Sequence, residues 1–221
     1  DPSLTYSSPV LLSGDSLGGS LTRESGESVV SYVISGSLTN ANYSITFNGN
    51  TFTITAKPLT ITADAKTKVY GDTDPDLTYT TIGLKTGDGL TGALSRTSGE
   101  DAGSYAINQG SVSAGSNYTI SFGGANFTIT AKPITVTVSA SSSITAGSTT
   151  TATATDYASF GTLTWSAGPS SVCTISADGT VTAVKAGTCT VTASVSANGN
   201  YAVGSGSTTI TIEATKANCG G

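Results

Sequence analysis

Three cysteines, Cys173, Cys189 and Cys219, are the most reactive side chains of this 221-residue sequence. Cys173 and Cys189 are 16 residues apart, in adjacent segments of strand-like alternation. In a chain rich in Thr, Ser and Gly they read as a disulfide, which implies an oxidising compartment. On the chain-entropy account, a loop of that size stabilises a fold by roughly 3 kcal/mol. Cys219 stands alone before the terminal Gly-Gly, where it could cross-link two chains. A metal site needs more ligands than two cysteines supply, and the sequence has no His. Without His there is no Ser-His or Cys-His nucleophile pair. Asp72, Asp74 and Asp76 alternate and offer hard carboxylate oxygens near a module boundary, so they are the calcium candidates. The EF-hand spacing fails there, because neither the Gly nor the distal Glu falls in place. Glu24 and Glu27, near Asp15, read as solvated loop carboxylates rather than a catalytic pair. Gly87-Asp88-Gly89 and Gly123-Gly124 read as turns, since no Gly-Lys-Ser/Thr follows them. Lys57, Lys66 and Lys132 are candidates for an intramolecular amide cross-link by residue type alone. No catalytic residue, metal or cofactor is expected.

The elements that must position these residues are strands. Phe-Thr-Ile-Thr-Ala-Lys-Pro occurs twice without a change, at Phe52–Pro58 and Phe127–Pro133. Apolar residues alternate on both sides of each Lys-Pro: Phe52, Ile54, Ala56 before it and Leu59, Ile61, Ala63 after it. The period is 2, the signal of a half-buried strand, and its phase slips by one across Lys-Pro. One continuous strand could not bury both sets on one face. Lys-Pro therefore reads as a hinge where one β-domain ends and the next begins. The composition agrees, with 10% charged residues, 37% apolar and 27 Gly. No segment sustains the helical period, and no apolar run approaches the roughly 18 residues of a membrane helix. No basic n-region with an apolar core opens the chain, so any signal peptide has been removed or lies outside this piece. A net charge of −5 argues against nucleic acid, which demands basic patches.

With Lys-Pro as a ruler, a long repeat emerges. Asp1-Pro2-Ser3-Leu4-Thr5-Tyr6 matches Asp74-Pro75-Asp76-Leu77-Thr78-Tyr79 at an offset of 73. Gly14-Asp15, Arg23, Gly26-Glu27 and Tyr32 match Gly87-Asp88, Arg96, Gly99-Glu100 and Tyr105. By Asn42-Tyr43 and Asn117-Tyr118 the offset has grown to 75, which places two extra residues in a turn. A period this long is a repeated domain rather than a solenoid coil. In the second copy, strands are expected at about 59–64, 77–83, 91–96, 104–109, 117–122 and 126–131. Short strands separated by Gly, Asn and Asp argue a sandwich. Asp101–Ile107 looks like the tyrosine-corner segment of immunoglobulin-like sandwiches. In copy one the corner Tyr32 follows Ser28-Val29-Val30 instead of Asp-Ala-Gly.

Lys68-Val69-Tyr70-Gly71-Asp72, Asp74-Pro75, Gly87-Asp88, Gly92-Ala93-Leu94, Gly103–Ile107 and Asn117-Tyr118-Thr119-Ile120 together resemble the MBG domain of the YGX type. The resemblance covers copy two end to end and copy one apart from its start. After Pro133 the pattern changes. Thr162–Ser166 and Cys173–Ala193, with the turns Ala177-Asp178-Gly179 and Ala186-Gly187-Thr188, resemble the bacterial Ig-like (Big) domain. In one branch of that family the Cys pair is part of the pattern. Trp165 is expected in the core near the disulfide, with sugar stacking as the alternative.

These resemblances imply an all-β chain of three Ig-like β-sandwich modules forming a semi-rigid rod. Residues 1–57 would be an MBG-type sandwich lacking its first strand, 58–132 a complete one, and 133–221 a Big domain with a C-terminal tail. The expected function is a non-enzymatic, extracellular one, at the cell surface or secreted: stalk or spacer modules of a bacterial adhesin. The incomplete first copy leaves two readings. Either the sequence is an excerpt of a longer chain, or the module receives a strand from a neighbour in a head-to-tail fibre. The donor would be the C-terminal run, whose Ile210, Ile212 and Ala214 resemble Leu59, Ile61 and Ala63. A carbohydrate-binding module is the further alternative. Expected partners are other copies of itself or neighbouring modules of a longer chain, and host or surface glycans or proteins. Nucleic acid and membrane insertion are not expected.

Overall fold

A computed structural model describes residues 1–157 and 161–216. Every regular element among them is a β-strand. Thr, Val, Ile and Tyr fit a pleated, half-buried surface, and Gly, Asn and Asp supply the turns between. No helix among the described residues is long and apolar enough to cross a membrane. The chain forms two compact units: residues 1–64 with 77–95 and 108–125, and residues 65–76 with 96–107 and 126–221.

In the first copy, β1 (Leu21–Arg23), β2 (Ser31–Gly36) and β3 (Thr51–Thr53) form an antiparallel sheet in the order β1-β2-β3. The second copy holds β4 (Lys57–Ala63), β5 (Lys66–Val69), β6 (Tyr79–Ile82), β7 (Ser95–Arg96), β8 (Gly103–Asn108), β9 (Tyr118–Gly123) and β10 (Ala125–Thr130). Within the first unit β4 is the central strand of the sheet β6-β4-β9, antiparallel to β6 and parallel to β9. Leu59 and Ile61 of β4 are fully buried among Val112 and the side chains of β6, β9 and their loops. Burying each is worth about 1.5–3 kcal/mol. The phase slip at Lys-Pro is visible in the exposure: Phe52, Ile54 and Ala56 point inward, Lys57 and Pro58 outward, Leu59, Ile61 and Ala63 inward again.

In the second unit the order is β5-β10-β8-β7, and β5 runs parallel to β10. This corrects the expected strand list, which has no strand at Lys66–Val69. Two lysines and one Val carry no apolar alternation; the ladder to Phe127–Thr130 makes the strand. The region expected as a strand at 91–96 is ordered as a strand only at Ser95–Arg96, with an isolated bridge from Thr91 to Ser113.

The remaining strands, all in the second unit, are β11 (Thr137–Ser139), β12 (Ser143–Thr145), β13 (Thr149–Thr151), β14 (Thr153–Thr155), β15 (Leu163–Gly168), β16 (Cys173–Ile175), β17 (Thr180–Ala183), β18 (Gly187–Val195) and β19 (Gly204–Glu213). A four-stranded sheet β12-β19-β18-β15 and a three-stranded sheet β13-β17-β16 enclose one core, beside the pair β11-β14. On β18, Cys189, Val191, Ala193 and Val195 alternate inward and are all fully buried. The Cys173–Cys189 disulfide forms, with Cα atoms 5.8 Å apart, and links β16 of one sheet to β18 of the other. Trp165 on β15 is half-buried and packs against the cluster that contains both cysteines, as expected of a core Trp.

The C-terminal run does not act as a spare strand. β19 is an interior strand, paired over Gly204–Ile212 with β18 and in parallel over Thr211–Glu213 with β12. Ile210 and Ile212 are buried in the core of their own module, while Ala214 is exposed beyond the strand end. The run expected as a possible donor is thus part of its own module in this structure. Cys219 lies outside the described residues.

Candidate functional site: the module junctions

Each copy of the repeat carries one arginine whose environment is built the same way. Arg23 ends β1 and Arg96 ends β7, and both side chains are 11% exposed. Arg23 Nε donates to Asp1 Oδ2 at 2.7 Å and a terminal nitrogen donates to Glu27 Oε1 at 2.7 Å. Arg96 repeats this with Asp74 (Nε to Oδ2, 2.6 Å) and Glu100. The guanidinium lies over two rings in each copy: Tyr32 and Phe52 at 5.0 and 5.1 Å, Tyr105 and Phe127 at 5.5 and 4.7 Å. A delocalised, weakly hydrated cation suits both the rings and the fork of carboxylates.

The second copy adds a lysine. Lys68 on β5 has a side chain only 4% exposed, and its Nζ lies 2.7 Å from Asp74 Oδ1 and also bonds Glu100. Asp74, and after it Glu100, hold the ammonium above its ordinary pKa, against the opposing effect of burial. Arg96 first, then Lys68, pull the Asp74 carboxyl down to a pKa of about 2. Lys68, then Arg96, lower that of Glu100. Two cations and two carboxylates thus close a ring in which each charge has an opposite neighbour.

The corner tyrosines stand beside these clusters. Tyr105 Oη donates to the Asp101 carbonyl at 2.8 Å, and Tyr32 Oη to the Ser28 carbonyl at 3.0 Å. The corner therefore forms in both copies, although Ser28-Val29-Val30 replaces Asp-Ala-Gly in the first. Only the backbone carbonyl is needed, so the side chain at that position is free to vary.

The segment beside the corner meets the following module. The Val29 N–H donates to Asn117 Oδ1 at 3.1 Å, and the Lys57 N–H donates to the Asn117 carbonyl at 2.9 Å. At the next boundary the Ala102 N–H donates to Asn200 Oδ1 at 2.6 Å, and the Lys132 N–H to the Asn200 carbonyl at 2.8 Å. Val29 and Ala102 are repeat equivalents, as are Lys57 and Lys132. One Asn thus takes a corner amide on its side chain and the Lys-Pro amide on its backbone, once at each boundary. The second boundary adds Asn200 Nδ2 to Asp101 Oδ1 at 2.8 Å, and an edge contact between the Tyr70 and Tyr201 rings at 5.6 Å. The Lys-Pro amide is therefore hydrogen-bonded at both boundaries. Sequence reasoning singled out Asn42-Tyr43 and Asn117-Tyr118 but missed Asn200-Tyr201. The signal was there: the same Asn-Tyr pair recurs in all three modules.

The calcium candidates are not brought together. Asp74 is engaged by Lys68 and Arg96, and among the described residues no three His, Cys, Asp or Glu side chains converge on a metal position. Asp72 and Asp76 are exposed. Of the disulfide candidates, Cys173 and Cys189 are joined. Ile210 and Ile212 sit in the third module's core.

Two family models match the chain. Residues 1–53 and 59–128 match the family model of the MBG domain (YGX type), and residues 125–205 that of the bacterial Ig-like domain (group 2). No curated protein matches the chain. Among solved structures, a Drosophila N-cadherin EC1-4 crystal structure is 13% identical, with 87% of this chain and 60% of that chain covered and a TM-score of 0.29. The surface layer protein SbsC, domains 1-6, is 17% identical, with 95% of this chain and 36% of that chain covered and a TM-score of 0.29. The chain thus spans less than two thirds of the length of either.

Proposed function

Because the chain belongs to the MBG domain family of the YGX type, with a bacterial Ig-like domain behind the tandem, we propose that it serves as non-enzymatic spacer modules of a bacterial cell-surface or secreted adhesin. The observation that carries this reading is the junction clamp, used twice with the same atoms. A chain that repeats a joint is built to hold successive modules in place. Each boundary has two hydrogen bonds to one Asn, worth about 1 kcal/mol apiece, beside a proline that restricts itself and its neighbour. The disulfide supports an oxidising, extracellular setting.

Antibodies raised against the chain should label intact, unpermeabilised producing cells or their culture fluid. Labelling that appears only after permeabilisation would overturn the placement. A carbohydrate-binding role is the rival; Trp165 argues against it, since its ring is packed against the disulfide core. Binding of the isolated chain on a glycan array would revive it. Turnover of a polysaccharide would sink the non-enzymatic reading.

A further inference from the structure

Three of the strand pairs run parallel, and each joins an early strand of a module to a late one. In the first unit β4 pairs with β9 over six register positions, from Lys57↔Tyr118 to Thr62↔Gly123. In the second unit β5 pairs with β10 over four, from Lys66↔Phe127 to Val69↔Thr130. The register offset is 61 residues in both ladders. A backbone bond extends each. The Lys57 N–H donates to the Asn117 carbonyl at 2.9 Å, and the Tyr70 N–H donates to the Thr130 carbonyl at 2.8 Å. In the third module β12 pairs with β19 over only three positions, Ser143–Thr145 with Thr211–Glu213.

Parallel order decides how a ladder meets a pull along the chain. The chain enters the second module at β4 and leaves it at β10. Tension arriving at Lys57 draws β4, and β5 behind it, toward the N-terminus. Tension leaving past Thr130 draws β10, and β9 before it, toward the C-terminus. In each ladder the two neighbours are therefore drawn in opposite senses along their own axes, and the evenly spaced bonds between them are loaded together. Strands drawn apart from one shared end release their bonds one at a time. Forced opening reads the barrier to unfolding rather than the equilibrium stability.

Side chains oppose the slide as well. Moving a strand along its partner by one residue turns its inward side chains outward. Leu59 and Ile61 of β4, and Phe127 and Ile129 of β10, are at most 2% exposed. On β5 the Lys68 ammonium is held by Asp74 and Glu100, so β5 cannot slip without parting these charges.

We propose that the second module is a load-bearing clamp, whose parallel ladders resist tension applied along the chain. The third module has the shorter ladder and opens first. Its disulfide then limits the extension, because Cys173 and Cys189 both lie between β12 and β19. The looped segment withholds roughly 50 Å of chain, 16 residues at about 3.5 Å each less the 5.8 Å already spanned. The proposal rests on the spacer reading only for the source of the tension.

The test pulls single molecules of the whole chain between two handles. One is placed by Thr55→azidohomoalanine, just before β4. The other is at the C-terminus or is placed by Ser116→azidohomoalanine, just before β9. Both residues are exposed, so the fold is left intact. Between Thr55 and the C-terminus two openings are expected. The weaker should lengthen by roughly 50 Å when reductant is present, which marks it as the third module. The stronger is the second module. Between Thr55 and Ser116, β4 is peeled from β9 at their shared end, Lys57 and Tyr118. The second module should then open at no more than about half the force. Equal forces in the two geometries would overturn the proposal. So would a reductant-marked opening that is the stronger of the two. The antibody labelling asks where the chain sits and the force asks what its ladders resist, so either can fail alone.

Discussion

Arg96 is the residue on which most of the second copy's polar contacts converge. It holds Asp74, Glu100, the Gly99 carbonyl and the faces of Tyr105 and Phe127. The depressed pKa of Asp74 makes this a pH-dependent contribution. A carboxyl whose pKa is about 2 in the folded state stabilises fully above its ordinary value near 4. That contribution is lost as pH falls from about 4 to about 2. The thermal midpoint should therefore drop between pH 4 and pH 2, and Arg96→Gln should flatten that drop. Equal slopes in the two proteins would contradict the assignment. The glycine before Glu100 is as constrained. Gly99 and its equivalent Gly26 both have φ of +147°, and a Cβ there would lie 2.2 Å from the Tyr105 ring and 2.5 Å from the Tyr32 ring. Gly99→Ala should cost about 1–3 kcal/mol in chemical denaturation, since both backbone and ring must move. A loss below half of that would mean the corner tyrosine is not held as described.

At the scale of elements, the disulfide and the central strands decide the third module. Cys173 and Cys189 join two sheets across a 16-residue separation. Replacing both with Ala should lower stability by about 3 kcal/mol, read from urea midpoints with the third module's Trp165 fluorescence as reporter. An unchanged midpoint would show that the bridge is not constraining the unfolded chain. The elements also divide what could be read in the sequence from what could not. The repeat, the phase slip at Lys-Pro and the corner tyrosine were legible, because each is a local pattern of residue types. β5 was not, because Lys66-Thr67-Lys68-Val69 becomes a strand only through the parallel partner at Phe127–Thr130. The burial of Lys68 was hidden for the same reason: its two carboxylates come from Asp74 and Glu100, and Glu100 is 32 residues away in sequence. The place of the C-terminal run was not legible either, because Ile210, Ile212 and Ala214 alternate like any strand. Alternation identifies a strand but not the sheet that holds it.

At the scale of the whole molecule the recurring theme is a joint. The Asn-Tyr pair of one module receives the Lys-Pro of the module before it, at Asn117 and again at Asn200. Asn42-Tyr43 is the same pair in the first module. Each of these bonds lies where one copy of the repeat passes into the next segment. Asn117→Ala or Asn200→Ala removes the side-chain bond while leaving the backbone bond from Lys57 or Lys132. Each variant should keep the strands intact and loosen only its own joint.

The most direct test is therefore residual dipolar couplings of the weakly aligned protein, collected for strands on both sides of each joint. β1-β2-β3 and β6-β4-β9 should fit one alignment tensor in the wild type, as should β5-β10-β8-β7 and β12-β19-β18-β15. Asn117→Ala should split the first pair alone and Asn200→Ala the second pair alone. Separate tensors across either joint in the wild-type protein would contradict the account of these modules as a spacer with tied joints.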